Sequence, residues 1–285
     1  MWWWATRFGA TTVQSFDFPD DWWGGGFWWG REFRSVLDLM DEGTLDAPLA
    51  ALLWLAIERH ASLVVVGGHA PGVGKTTLLT ALLAFLAPEA TPVFTAGQRE
   101  TFAFVERTDP ARTRILVNEI SDHLPGYLWG RQAATVFDLA GRGYALAATM
   151  HAASLDELVG QLEPPPVGVP RRTFAQRVPL TVLLAAGYQE RRLVRRVTSV
   201  LLLRPGEDAA AVHADPLSTW DAATDTYDFT DQQAVWVALA ARLRLPVARL
   251  RREREARSAY LTALGQEGTR DYDAVRAAVL RYHQA

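Results

Sequence analysis

SLVVVGGHAPGVGKTTLLTALLAFL, residues 62–86, is the stretch on which the fold turns. Its opening SLVVV, residues 62–66, is a β-branched run too short for a helix and predicts a buried strand. Its close, TTLLTALLAFL, predicts a helix stopped by Pro88. Between them lies the glycine-rich turn GGHAPGVG. Strand, turn and helix in that order build a cradle for phosphate. Backbone N–H groups of the turn converge on the anion while the helix N-terminus adds partial positive charge. Gly72 and Gly74 let the backbone approach without a Cβ in the way. The predicted contact set is Gly72, Val73, Gly74, Lys75, Thr76 and Thr77, with ATP and Mg²⁺ as ligands. Lys75 would reach the β- and γ-phosphates, and the Thr76 hydroxyl would ligate the cation. The pattern G-x-x-x-x-G-K-[ST] asks for glycine at 69, where this chain carries His69 after Gly67 and Gly68. A shifted or slightly deformed loop is therefore expected.

Composition sharpens this reading. Of 29 lysines and arginines the only lysine is Lys75. Wherever a positive charge alone serves, the chain uses arginine, whose planar guanidinium is too bulky for the cradle. The 285 residues suffice for one large domain or two modest ones, and 49% apolar with 21% charged is a soluble, globular balance. A net charge of -3 gives no global argument for nucleic acid or an acidic membrane. The absence of cysteine excludes disulfides, thiol catalysis and cysteine metal sites. No apolar run approaches the roughly 18–20 residues of a membrane span. The start, MWWWATRFGA, lacks the features of a signal peptide. Cytoplasmic location is the expectation.

Outward from the loop, residues 35–43 predict a short helix and APLAALLWLAIERH, residues 47–60, a strongly apolar one with Pro48 in its first turn. Further strands are expected at 92–95, 115–117 and 144–150, with helices over 128–141 and from Ser154. Alternation of this kind predicts a mostly parallel α/β sheet covered on both faces. LTVLLAA and RRLVRRVTSVLLL predict a β-hairpin joined near Gly187. From Asp231 the chain reads as three helices, about 231–244, 246–264 and 270–283. The expected organisation is a tryptophan-rich segment at 1–34, a nucleotide-binding domain at 35–203 and a mostly helical region at 204–285. Residues 171–196 hold seven arginines against one glutamate.

Two strand ends carry polar residues toward the loop. ILVNEI, residues 115–120, ends an apolar strand on Glu119, which beside a phosphate loop would polarise the attacking water or hold hydrated Mg²⁺. Standing alone, it would read as a surface glutamate. AATMHA ends the next strand on His151. That histidine reads equally as a γ-phosphate contact and as a satisfied structural residue. Asp122 and His123 read as loop caps.

Together these segments resemble the secretion and pilus-assembly ATPases of the type II/type IV superfamily, and within it the archaellum-motor and tight-adherence-pilus branch. DEGTLDAPLAALLWLAIERHASLVVVGG followed by GVGKTTLLTALL carries the likeness. ILVNEISD is similar to that family's Walker-B box and GYALAATMHA to its histidine box. RRVTSVLLL, WDAATDTYDF and REREARSAYLTALGQEGTRDYDAVRAAVLRY are similar to its tail. The resemblance runs from about residue 36 to 285. It implies a RecA-like core with Glu119 as catalytic carboxylate and His151 as the histidine-box residue. It also implies assembly as a ring, a hexamer in that superfamily, or with a related complete ATPase. A membrane-embedded secretion or pilus platform would be the partner, with the chain peripheral at the inner face of the membrane.

Departures from the pattern bear on turnover. The large N-terminal domain of such motors is replaced by about 30 tryptophan-rich residues. The aspartate box is reduced to Glu100, the arginine segment to a trace at 109–114, and Ser121 stands where an arginine follows the Walker-B glutamate. A missing arginine finger costs roughly 10³- to 10⁵-fold in related chemistry. A nucleotide-binding regulatory or assembly subunit with little hydrolysis is the alternative. A third reading, nucleic-acid handling through residues 171–196, would show steep salt dependence.

Overall fold

Strand β1 (Leu63–Gly67) is buried along its whole length in the computed structural model, which describes residues 33–68, 72–208 and 211–284. Its valines are needed on both sides. Leu63 and Val65 join one hydrophobic core and Val64 and Val66 the other, which is why the run is continuous rather than alternating. Around it lie β2 (Thr91–Phe94), β3 (Thr113–Val117), β4 (Ala145–His151) and β5 (Leu180–Gln189). The sheet continues through β6 (Arg192–Pro205), β7 (Val212–Asp221) and β8 (Thr226–Phe229), in the order β2-β3-β4-β1-β5-β6-β7-β8. The first five strands are mutually parallel and the last three antiparallel. The expected mostly parallel α/β architecture with a hairpin and C-terminal helices is therefore present.

One face is covered by α1 (Val36–Asp41), α2 (Ala47–Glu58) and α3 (Lys75–Leu82). Asp46 caps α2 through the Leu49 N–H at 2.9 Å. Helix α2 is apolar all round because it is enclosed, and its Trp54 stacks on Phe85 with ring centres 5.0 Å apart. The C-terminal helices α7 (Gln233–Leu243), α8 (Val247–Gln266) and α9 (Tyr272–Tyr282) close over this layer. Buried Arg257 of α8 donates to Glu58 at 2.7 Å and lies over the Trp54 ring, tying the tail to α2. Helices α4 (Gly130–Gly141), α5 (Leu155–Leu162) and α6 (Arg171–Arg177) cover the opposite face.

Three expectations change. The β5–β6 strands run past Gly187, and the turn falls at Glu190 and Arg191, with φ of 48° and 68°. The pairing of Tyr188 with Leu193 and Gln189 with Arg192 carries the ladder two residues further than a glycine signal suggested. WDAATDTYDF forms the β7–β8 hairpin and belongs to the sheet, so residues 203 and 204 lie inside β6. The trace at 109–114 is structural. Arg114 is buried in β3 and donates to the Ile57 and Ala61 carbonyls at 2.8 and 2.9 Å, closing the C-terminal end of α2. Burial pulls its guanidinium down to about 9. Residues 1–32 of the tryptophan-rich segment and His69 lie outside the described residues. Among the described residues no helix is long and apolar enough to cross a membrane.

Candidate functional site

Register brings three chain ends to one level at the carboxyl edge of the sheet. Gly67 of β1 pairs with His151 of β4 on one side and Leu184 of β5 on the other. Strand β3 stops at Val117, opposite Ala148, but residues 118–120 continue upward as the Ile120 N–H donates to the Thr149 carbonyl at 2.9 Å. Glu119 thereby reaches the end of β4. A crevice at this edge is where open α/β sheets hold ligands.

The loop turns into α3 through two left-handed glycines, Gly72 at φ 75° and Gly74 at φ 103°. Gly74 is the N-cap residue and supplies no side-chain cap to the first-turn N–H groups of α3. Val73 between them is buried against Gly67, where a Cβ would lie 2.8 Å from Val73 Cγ1. Thr76 and Thr77 occupy the first turn, both part-buried. A Cβ at Gly74 would fall 2.9 Å from Arg195 Cδ. Gly74→Ala should therefore cost stability by about 1–2 kcal/mol, the penalty of left-handed backbone for an L residue, measured by denaturant unfolding. An unchanged midpoint would contradict this loop conformation.

Lys75, Glu119 and His151 meet where the loop opens. Lys75 Nζ lies 3.6 Å from Glu119 Oε2 and 3.1 and 3.2 Å from the two ring nitrogens of His151. His151 Nε2 is 3.4 Å from Glu119 Oε2, and its Nδ1 is 3.3 Å from the Gly68 carbonyl oxygen. The side chains of Lys75 and Glu119 are each only 8% exposed. Burial pushes the Lys75 ammonium below its ordinary value, while the Glu119 charge and hydrogen bond oppose that shift. The Ser121 hydroxyl donates to Glu119 Oε1 at 3.1 Å and fixes the carboxylate from the other side. Gln161 donates to the His151 carbonyl at 2.7 Å, which holds the end of β4. The result is a buried ammonium next to a carboxylate and an imidazole, beside a helix N-terminus.

The remaining candidates separate. His123 is 59% exposed with Nδ1 4.0 Å from Glu119 Oε1, at the rim. Asp122 is exposed beside it. Glu100 turns both carboxylate oxygens to backbone, accepting from the Ala96 and Phe102 N–H groups at 2.8 and 2.6 Å. It shapes the loop after β2. The basic stretch is divided among several tasks. Arg171 pairs with Glu163, and Arg172 binds the Gly206 and Asp208 carbonyls at 2.7 and 3.0 Å. Arg196 is buried and binds both oxygens of Asp225 at 2.7 and 2.8 Å. Arg195 alone of these reaches the phosphate loop, donating Nε to the Gly72 carbonyl at 3.0 Å. Four of the seven arginines of 171–196 are thus engaged within the fold. In sequence the arginines of 171–196 read as one basic group. Alternation along β6 is the signal that separates Arg195 from Arg196, because neighbours on a strand face opposite sides.

Among the described residues no cluster of three or more His, Cys, Asp or Glu side chains is arranged to hold a metal by itself. Mg²⁺ beside a triphosphate keeps waters and phosphate oxygens and takes only one or two protein ligands. The Thr76 hydroxyl and the Glu119 carboxylate are hard oxygen donors of the right chemistry, so the residues fit that mode.

No family model matches the chain. It is similar to two uncharacterized proteins of Methanocaldococcus jannaschii. One is 28% identical over 183 residues, covering 58% of this chain and 33% of that protein. The other is 24% identical over 247 residues, covering 80% of this chain and 90% of that protein. The chain thus spans a third of the length of one relative and most of the other. Among solved structures, the VirB11 ATPase of the Brucella suis type IV secretion system matches at 18% identity and a TM-score of 0.41, over 59% of this chain and 56% of that one. The Yersinia pseudotuberculosis ATPase DotB matches at 12% identity and a TM-score of 0.40, over 85% and 62%.

Proposed function

We propose that this chain binds Mg²⁺·ATP at the mouth of α3 and hydrolyses it, as a relative of the secretion and pilus-assembly motors it resembles in sequence. The observation that carries this reading is the meeting of Lys75, Glu119 and His151 at the end of a left-handed glycine loop. The buried Lys75 ammonium carries three donors and meets its carboxylate only at 3.6 Å, and polyphosphate oxygens are acceptors suited to those donors. The N–H groups of the first turn of α3 add donors aimed at the same place.

In this reading Lys75 leaves Glu119 to bridge the β- and γ-phosphate oxygens. Glu119, held by Ser121, then orients a water against the γ-phosphorus and takes its proton as ADP departs. His151 lies beside both, 3.1 Å from Lys75 Nζ and 3.4 Å from Glu119 Oε2, and would sense the γ-phosphate and relay its presence to β4. Bound Mg²⁺ would neutralise charge developing on the phosphate oxygens, with Thr76 and, through water, Glu119 as its protein contacts. A nucleotide-binding subunit with little turnover is the second reading. Ser121 favours it, because a hydroxyl in place of an arginine leaves one cation fewer beside the reacting phosphate. Assembly as a ring or with a complete homologue, and service to a secretion or pilus platform, belong to the same proposal.

Titration with a non-hydrolysable Mg²⁺·ATP analogue tests occupancy. Saturation at a hundred times the dissociation constant should stabilise the fold by about 2.7 kcal/mol through linkage. Absence of both heat and thermal shift with ATP and ADP would end this reading.

A further inference from the structure

We propose that the β5–β6 hairpin carries the nucleobase subsite of this site, with Tyr188 as the stacking platform. The inference rests on the nucleotide-binding reading above and extends it from phosphate to base. Strand β5 runs parallel to β1, and Leu184 stands level with Gly67, the last residue of β1. Strand β5 then continues through Gln189, so the hairpin rises beyond the carboxyl edge beside the phosphate loop. At about 3.3 Å per residue, Tyr188 stands about 13 Å above the level of Gly67.

One face of the hairpin looks onto the loop. Leu184 Cδ2 comes 3.6 Å from the Cβ position of Gly74, and Arg195 Cδ comes 2.9 Å from it. Arg195 pairs across the ladder with Ala186, and Leu193 pairs with Tyr188. Because side chains on one face recur every second residue, Leu184, Ala186 and Tyr188 share a face with Leu193 and Arg195. Going up that face from the loop, Ala186 stands level with Arg195, which is bonded to the Gly72 carbonyl, and Tyr188 stands level with Leu193 above them. Tyr188 is 78% exposed and Leu193 36%. The two-residue turn at Glu190 and Arg191 fixes the register that holds them there.

A nucleotide anchored by its phosphates at Lys75 must lay its base outward along some wall. This face offers a flat aromatic ring flanked by an aliphatic side chain, one ladder step above Ala186 and Arg195. Stacking needs no particular base edge, so the platform would accept purines broadly and favour them over pyrimidines through ring area. Arg195 acts here as a positioning residue, holding the loop against the same hairpin.

The test compares Tyr188→Ala and Tyr188→Phe for binding of the Mg²⁺·ATP analogue and of Mg²⁺·tripolyphosphate, which has no base, with Lys75→Ala as reference. Tyr188→Ala should weaken the nucleotide about tenfold, leave tripolyphosphate unchanged and keep the melting temperature of the ligand-free protein. Tyr188→Phe should bind as the parent does. Equal nucleotide affinity in Tyr188→Ala, or an equal loss for both ligands, overturns the base subsite while Lys75→Ala still abolishes binding. A change in solution mass of Tyr188→Ala with base dependence intact assigns the face to a second copy and also overturns it. If Lys75→Ala binds undiminished, the phosphate-site reading fails first and takes this inference with it.

Discussion

Lys75→Met is expected to weaken Mg²⁺·ATP binding at least a hundredfold, about 2.7 kcal/mol. The ammonium is the chain's only lysine and is buried at the helix mouth, and hydrogen bonds from a charged donor are the strong ones. Lys75→Arg should fail almost as badly. The Lys75 stem passes within 3.3 Å of the Cβ position of Gly67, and a guanidinium fork needs more width than an ammonium. The ligand-free protein responds as well. Removing Lys75 leaves the buried Glu119 carboxylate without its cation, which destabilises the fold. Adding Glu119→Gln removes that charge and should recover stability without restoring binding. Calorimetry and thermal unfolding on the single and double variants separate the two effects. Undiminished ATP affinity in Lys75→Met would sink the phosphate site.

The second large effect is on turnover. Glu119→Gln should lower steady-state phosphate release by about 10²- to 10⁴-fold, the range for losing a positioned general base. Nucleotide binding should hold or tighten, because the neutral amide carries no charge to repel the γ-phosphate. Ser121 can still donate to the amide oxygen, so the side chain keeps its place. Phosphate release measured under saturating Mg²⁺·ATP decides between the two readings. A parent protein that binds ATP without releasing phosphate is the regulatory subunit. A Glu119→Gln variant as fast as its parent removes the carboxylate from the reaction.

Much of the site was legible because it is local. The change from the β-branched run at Leu63–Gly67 to the helix at Lys75–Leu82 is a change of period that any reading of residues 62–86 meets. Glu119 and His151 were legible because each ends an apolar run, and parallel strands deliver their ends to one edge. Glu100 and Arg114 were misleading for one reason. Their chemistry is that of site residues, but their partners are backbone groups that sequence does not reveal. The β7–β8 hairpin was missed because WDAATDTYDF alternates weakly and most of its residues face water.

What the sequence determined by itself is the ordered set of β1, the glycine turn and α3, with the single lysine at their junction. Those features depend on neighbours a few residues apart, where period, backbone freedom and side-chain shape act directly. Only the tertiary structure decided that Ser121 holds Glu119, that Arg195 rather than Arg196 reaches Gly72, and that Tyr188 rises beside the loop. Arg195 and Gly72 are 123 positions apart, and Tyr188 is brought up by the register of β5 on β1. Such contacts follow from which strands pair and in what register, a choice made by burying both faces of the whole sheet at once.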